Sequence, residues 1–208
     1  DLLRGGQIVA IPTETVYGLA ADASNADAVA KIYAAKGRPD FNPLIVHVPD
    51  KAAAEKLAEF SELADRLAEA FWPGPMTLVL PLRGDTPVTK AVTAGLSTIA
   101  IRCPAHPVMQ AALAKSRLNL AAPSANKSGG ISPTRAEHVL ASLGGAVPMI
   151  LDAGPCVDGL ESTIIAVREN GWQILRPGPV TENAIVEVAG TRPMALTSAR
   201  VEAPGQLA

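Results

Sequence analysis

The sequence predicts a mixed α/β fold, on three observations. Short apolar runs of strand length recur between longer stretches with helical periodicity, and glycines, prolines and capping residues punctuate the junctions. Hydrophobic residues make up 48% of the 208, enough to bury a substantial core in one large domain or two small ones. The aromatics are few (two Trp, two Tyr, three Phe), so that core must be built from Ala, Val, Leu and Ile, which suits layered helices and strands.

In chain order, Gln7 to Pro12 reads as a buried strand. Ser24, followed three residues later by Asp27, resembles a helix start for the Ala-rich stretch Ala28 to Lys36, which Gly37 stops. A strand over Leu44 to Val48 precedes two helical stretches, Ala52 to Phe60 and Glu62 to Phe71, with Ser61 placed to cap the second. Trp72-Pro73-Gly74-Pro75 ends that run. Strands follow at Met76 to Leu80 and Thr98 to Arg102, then a helix over Val108 to Lys115 and a short strand around Leu120 to Ala122. Thr134 can cap a helix from Arg135 to Leu143, and Met149 to Asp152 reads as a strand. Ser162 to Val167 pairs with Trp172 to Leu175 across Asn170-Gly171, a strong hairpin signal. There is no internal repeat and no change of composition before about Thr191. Residues 1–190 are therefore predicted to form one domain, and residues 191–208, with two prolines and little periodic hydrophobicity, a linker or tail.

Composition excludes several function classes. A formal charge of −2 gives no global attraction to nucleic acid, so any anion site must be a local cluster of Lys and Arg. No apolar run approaches membrane-spanning length and no signal peptide is evident, so a soluble, cytoplasmic protein with no membrane partner is expected. Cys103 and Cys156 form neither a disulfide framework nor a zinc spacing and read as reduced thiols without a role. The chain opens on Asp1 rather than methionine and stops at Leu207-Ala208, which reads as a piece of a longer protein.

The common phosphate-loop, dinucleotide, zinc-helix and serine-elbow signatures are absent. Polar segments at the ends of predicted strands and helices remain, where open α/β sheets assemble ligand crevices. Pro12-Thr13-Glu14-Thr15-Val16-Tyr17-Gly18 offers hydroxyls, but a Thr-rich turn is the simpler reading. Lys36-Gly37-Arg38-Pro39-Asp40-Phe41-Asn42-Pro43 places two cations on a loop stiffened by two prolines, which favours anion binding over mere complementing of a helix dipole. His47 is a lone strand histidine, more often simply hydrogen-bonded than functional. Arg102 shares a strand face with Thr98. The long loop from Ala122 through Ser124, Asn126 and Ser132 to Thr134 could cradle phosphates with its amides and hydroxyls, or be a flexible surface loop. Hairpin pairing brings Ser162 and Arg176 together at its open end.

Taken together, Lys36-Gly37-Arg38-Pro39, Ser124-Ala125-Asn126, Glu161-Ser162-Thr163 and Leu175-Arg176-Pro177-Gly178 resemble the Sua5/YrdC family of threonylcarbamoyl-AMP synthases over nearly the whole chain. The tail from Ala203 is similar to the start of the linker that leads to a second domain in the longer Sua5 form. The resemblance implies a twisted mixed sheet flanked by helices with a central, concave, positively charged cavity. It implies that Thr15, His47, Arg102, Ala122 (through its backbone) and Ser162 contact L-threonine. Arg38, Asn42, Thr98, Ser124, Ser132 and Arg176 contact ATP, and Lys36 and Arg38 act catalytically beside the phosphates.

The implied reaction joins L-threonine, bicarbonate and ATP into threonylcarbamoyl-AMP and pyrophosphate, for the t6A modification of tRNA. It needs no protein nucleophile, with Mg2+ held mainly by the ATP phosphates. The product would pass to the tRNA threonylcarbamoyl transferase machinery, with at most a weak tRNA contact. A carbamoyl-adenylate-forming domain and a noncatalytic RNA-binding module stay open as alternatives. The scarcity of aromatics weighs against the latter.

Overall fold

The computed structural model describes residues 1–37, 42–195 and 203–204. Its framework is an eight-stranded mixed sheet. The strands are β1 (Val9–Pro12), β2 (Tyr17–Asp22), β3 (Ile45–His47), β4 (Met76–Pro81), β5 (Thr98–Arg102), β6 (Leu120–Ala121), β7 (Thr163–Arg168) and β8 (Gly171–Arg176), and they lie in the order β1-β2-β6-β3-β5-β4-β7-β8. The pairs β3/β5 and β4/β7 are parallel and the others antiparallel. The helices are α1 (Ala26–Lys36), α2 (Lys51–Glu55), α3 (Glu62–Phe71), α4 (Lys90–Thr93), α5 (Pro107–Ser116), α6 (Ala136–Leu143) and α7 (Glu182–Ala189). Among the described residues, no helix is long and apolar enough to cross a membrane.

Strand alternation gives the sheet two unlike faces. One carries Leu19, Val46, Leu78, Ile101 and Ile165, which pack under α1, α3, α6 and α7 in a single apolar cluster. Among the described residues, apolar packing covers the other face at its two ends. At one end Met109 and Leu113 of α5 pack on Val9, Ile11, Ala20 and Leu120; at the other, Ala203 packs on Ile45, Val79, Ala100, Ile164 and Ala166. His47, Thr77, Arg102 and Ser162 are buried on this second face, in the register of those small aliphatic residues. A polar floor thus lies between two apolar covers.

Several sequence expectations change against the structure. Asn25, not Ser24, caps α1, accepting from Ala28 N at 3.0 Å, because the Ser24 hydroxyl is taken by Asp22. The helix expected over Ala52 to Phe60 stops at Glu55, because Ala58 and Glu59 turn to bond the end of β4 and the residue beyond it. Arg135 rather than Thr134 precedes α6 as its cap residue, and no side chain caps it. Met149 to Asp152 makes only a single bridge to Ala10. The hairpin turns at Glu169-Asn170, one residue early, because Gly171 opens β8 at φ 136° and pairs with Arg168. Ser61 caps α3, accepting from Ala64 N. β2, α4 and α7 had no counterpart in the sequence reading.

Residues 191–195 lie along β8. Met194 N bonds Trp172 O at 2.8 Å, and Gln173 Nε2 bonds Ala195 O at 2.8 Å.

Gly178 crosses the start of β7 so closely that an added Cβ would lie 2.4 Å from Thr163 N and 2.5 Å from Glu161 O, both backbone atoms. Gly178→Ala should therefore destabilise the fold by about 2 kcal/mol, the usual scale of overpacking. Gly84→Ala, where nothing lies within 4 Å, should stay within about 0.5 kcal/mol of wild type. Urea unfolding of the two variants checks the difference.

Candidate functional site

The polar floor opens into a cavity of about 400 Å³, the size expected of a small-molecule site. It gathers Thr15, Lys36, Asn42, His47, Arg102, Ala122, Ser124, Ser132, Ser162 and Arg176 on one wall system, although they are scattered along the chain. Thr98 is not among the lining residues. It shares the face of Arg102 but sits at the other end of β5, about 13 Å away at strand rise. Arg38 lies outside the described residues.

Arg102 anchors one end. Its Nε donates to Gly74 O at 3.1 Å, Nη1 to Thr15 Oγ1 at 2.8 Å and Nη2 to Glu14 Oε1 at 2.6 Å. A guanidinium has five N–H donors, so two remain, one on each terminal nitrogen, the pair an end-on carboxylate needs. Thr15 is fixed in turn. The Thr13 hydroxyl donates to Val16 O at 2.7 Å, so in its 2.8 Å contact with Thr15 it accepts. The Thr15 hydroxyl thus spends its proton on Thr13 and a lone pair on Arg102, leaving it only an acceptor's role towards a ligand. The Thr-rich turn is structural and also prepares the site.

His47 lies beside Arg102 in the paired strand. Burial, reinforced by the Arg102 charge, pushes its pKa down to about 3, so the ring is neutral at physiological pH. Its buried Nδ1 has no hydrogen-bond partner among the described residues.

At the other end, Arg176 closes β8. Its backbone is three strand positions from that of Arg102, roughly 14 Å at ordinary strand spacing. It donates to Ser162 O and Oγ and to the Glu161 carboxylate. The Ser162 hydroxyl also contacts Thr77 at 2.8 Å.

The loop after β6 is ordered from inside. The buried Lys36 ammonium donates to the carbonyls of Ser124 and Asn126, both at 2.5 Å, and Ser128 N returns a bond to Lys36 O. Asn126 closes the turn by donating to Gly130 O at 2.7 Å. These contacts fold the loop against the cavity, with Lys127 to Ile131 exposed.

The sequence reading missed two carboxylates. Glu14 sits behind Arg102, off the cavity wall; Glu161 is on the wall between Arg176 and Ser132. Glu161 was visible as a neighbour of Ser162 near the hairpin's open end. Glu14 carried no local signal, since Arg102 lies 88 residues away. Burial pushes the thiols of Cys103 and Cys156 up to about 11, so both are poor nucleophiles.

Residues 1–178 match the Sua5/YciO/YrdC family, described as "Telomere recombination". The chain belongs to this family. It is 50% identical to the threonylcarbamoyl-AMP synthase of Bacillus subtilis over 190 residues, covering 91% of this chain and 55% of that protein. It is 46% identical to the threonylcarbamoyl-AMP synthase of Pyrococcus abyssi, covering 90% of this chain and 55% of that one. The crystal structure of P. abyssi Sua5 complexed with L-threonine superposes with a TM-score of 0.93 at 43% identity, covering 99% of this chain and 62% of that chain. The chain thus spans little more than half the length of these relatives.

Burial alone would raise the pKa of Glu14, but the charge and hydrogen bond of Arg102 outweigh it and hold the carboxyl below its ordinary 4.5. A depressed folded pKa stabilises above the unfolded value and is lost as pH falls through the folded one. Glu14→Gln should therefore cost about 3 kcal/mol at pH 7, as expected for a buried cation left unmatched. The gap to wild type should close progressively as pH drops below 4.5. Urea unfolding at pH 7 and in acid measures it.

Proposed function

We propose that this domain makes threonylcarbamoyl-AMP and pyrophosphate from L-threonine, bicarbonate and ATP, as a cytoplasmic nucleotidyltransferase serving tRNA t6A modification. The observation that carries the reading is one cavity with an anion-binding arginine at each end. A neutral histidine and an accepting hydroxyl stand beside the first, and a loop of hydroxyls and a buried ammonium beside the second. The relatives named threonylcarbamoyl-AMP synthase support it.

In this reading the threonine carboxylate takes the two remaining N–H groups of Arg102. Thr15 Oγ1 accepts from the ammonium, and the neutral His47 ring accepts from the side-chain hydroxyl. A site that hydrogen-bonds a hydroxyl rejects analogues lacking it far better than an apolar pocket does. The ammonium gives up one proton, which bicarbonate takes up as it releases water and CO2; the free amine forms a C–N bond to that CO2 and loses a second proton to solvent, giving an N-carboxylate. Its oxygen bonds to the α-phosphorus of ATP while the bond to pyrophosphate breaks.

The protein supplies alignment and charge: Lys36, Arg38 and Arg176 provide positive charge for the phosphates, and Ser124, Ser132 and Asn42 hold the nucleotide. Thr98 joins them only if the nucleotide reaches the far end of β5. Magnesium takes hard oxygen donors, and serine hydroxyls beside the phosphates fit an ion carried largely by the nucleotide. It would neutralise phosphate charge. The product would be handed to the tRNA threonylcarbamoyl transferase machinery, with at most a weak tRNA contact by this domain.

Mass spectrometry with labelled bicarbonate should detect the adenylate, and pyrophosphate release should require threonine and bicarbonate together. Product formation from carbamoyl phosphate but not from threonine would overturn the reading. Lys36→Ala should slow adenylate formation by about tenfold or more while weakening threonine binding less. Single-turnover rates and calorimetric threonine binding separate the two effects.

A further inference from the structure

The two arginines are neutralised differently. Glu14 approaches Arg102 from behind and does not line the cavity, so a ligand can bind with that pair intact. Glu161 stands on the ligand's side. It accepts from Ser132 Oγ at 2.6 Å, from the Ser124 side chain and from Arg176 Nη1, and the Lys36 charge acts on it as well. These are the groups assigned above to the nucleotide. Arg176 has little to spare: Nε and Nη2 are turned to Ser162, so of its five donors one N–H on Nη1 is left while Glu161 stays.

We propose that Glu161 is the specificity-determining residue of this end: a built-in carboxylate that occupies the phosphate-binding groups until a polyphosphate displaces it. The inference rests on the reading of the cavity as an ATP site. An incoming anion meets a like charge on the wall and must replace several charge-assisted hydrogen bonds at once. A chain of phosphates can do so because it presents several charges to Lys36 and Arg176 together. A single small anion offers one. Specificity is a difference of affinities, and a repulsive group sets it as effectively as an attractive one. The carboxylate therefore makes the site selective for polyphosphates at the expense of absolute affinity. It also keeps hydrogen-bonded partners on the buried donors when no ligand is bound.

The test is calorimetric binding of pyrophosphate without added metal, and of sulfate, to wild type, Glu161→Gln and Glu161→Asp. Removing the competing carboxylate should tighten pyrophosphate in Glu161→Gln by about tenfold and sulfate by more, because the single anion loses the larger handicap; equal tightening of the two would overturn the specificity role. Glu161→Asp keeps the charge and should stay within about threefold of wild type. Unchanged or weaker pyrophosphate binding in Glu161→Gln overturns the inference, since a ribose, metal or purely structural role predicts that direction. Equal tightening in Glu161→Asp also overturns it, because geometry rather than charge would then be responsible. If wild type makes the adenylate but Glu161→Gln fails to tighten pyrophosphate, only this inference falls. If wild type binds neither ATP nor pyrophosphate, the ATP-site reading falls with it.

Discussion

Burying a guanidinium on the face of a sheet imposes a constraint that organises everything around it. Arg102 is 3% exposed, and a cation so placed requires an opposite charge and hydrogen bonds on most of its donors. Glu14 supplies the charge from the β1–β2 turn, Thr15 a hydroxyl from the same turn, and Gly74 a carbonyl from the segment before β4. Two distant pieces of chain are thereby held to the carboxyl end of β5. Because β3 is parallel to β5 with His47 opposite Arg102, the same fixation decides the environment of the histidine. Its neutrality follows from burial beside a fixed cation.

A second buried cation does comparable work across the cavity. Lys36 ends α1, where a lysine would ordinarily point to solvent and complement the helix dipole. Here it is 3% exposed and aimed into the loop after β6, gathering two carbonyls. Loops rich in Ser, Asn and Gly gain little from burial and depend on such internal anchors for a fixed shape. The anchor also places a positive charge behind a wall of hydroxyls, where the low dielectric makes it count for more than at a surface.

Much of this was readable in the sequence, and the exceptions have physical causes. The strands Met76 to Leu80 and Thr98 to Arg102 were plain because β-branched and aliphatic runs of strand length are bounded by turn residues. β2 was not, since Tyr-Gly-Leu-Ala-Ala-Asp has little strand propensity and is held by neighbours on both sides and by its loop bonds to Pro123 and Pro133. The family resemblance named residues that the structure gathers on one cavity, apart from Thr98 and from Arg38 outside the described residues, but it named groups thought to touch ligand and so passed over Glu14 and Glu161, which pair with the arginines. Thr98 shows the opposite limit. Alternation places it on the correct face, yet a face extends the length of a strand and a cavity does not.

The second face also carries an apolar strip, formed by Ile45, Val79, Ala100, Ile164 and Ala166 beside the polar floor. Left open, that strip would keep ordered water next to the cavity and forfeit the burial of its own small side chains. Ala203, fully buried, covers it, and Pro204 beside it forms part of the cavity wall. A mixed anhydride between a carbamate and a phosphate is destroyed by water, so the proposed reaction needs its site shielded at the place where the sheet needs its strip covered. One short piece of backbone meets both requirements. The apolar contact of Ala203 fixes where the chain lies, and Pro204, with its restricted backbone, is held against the cavity as a consequence.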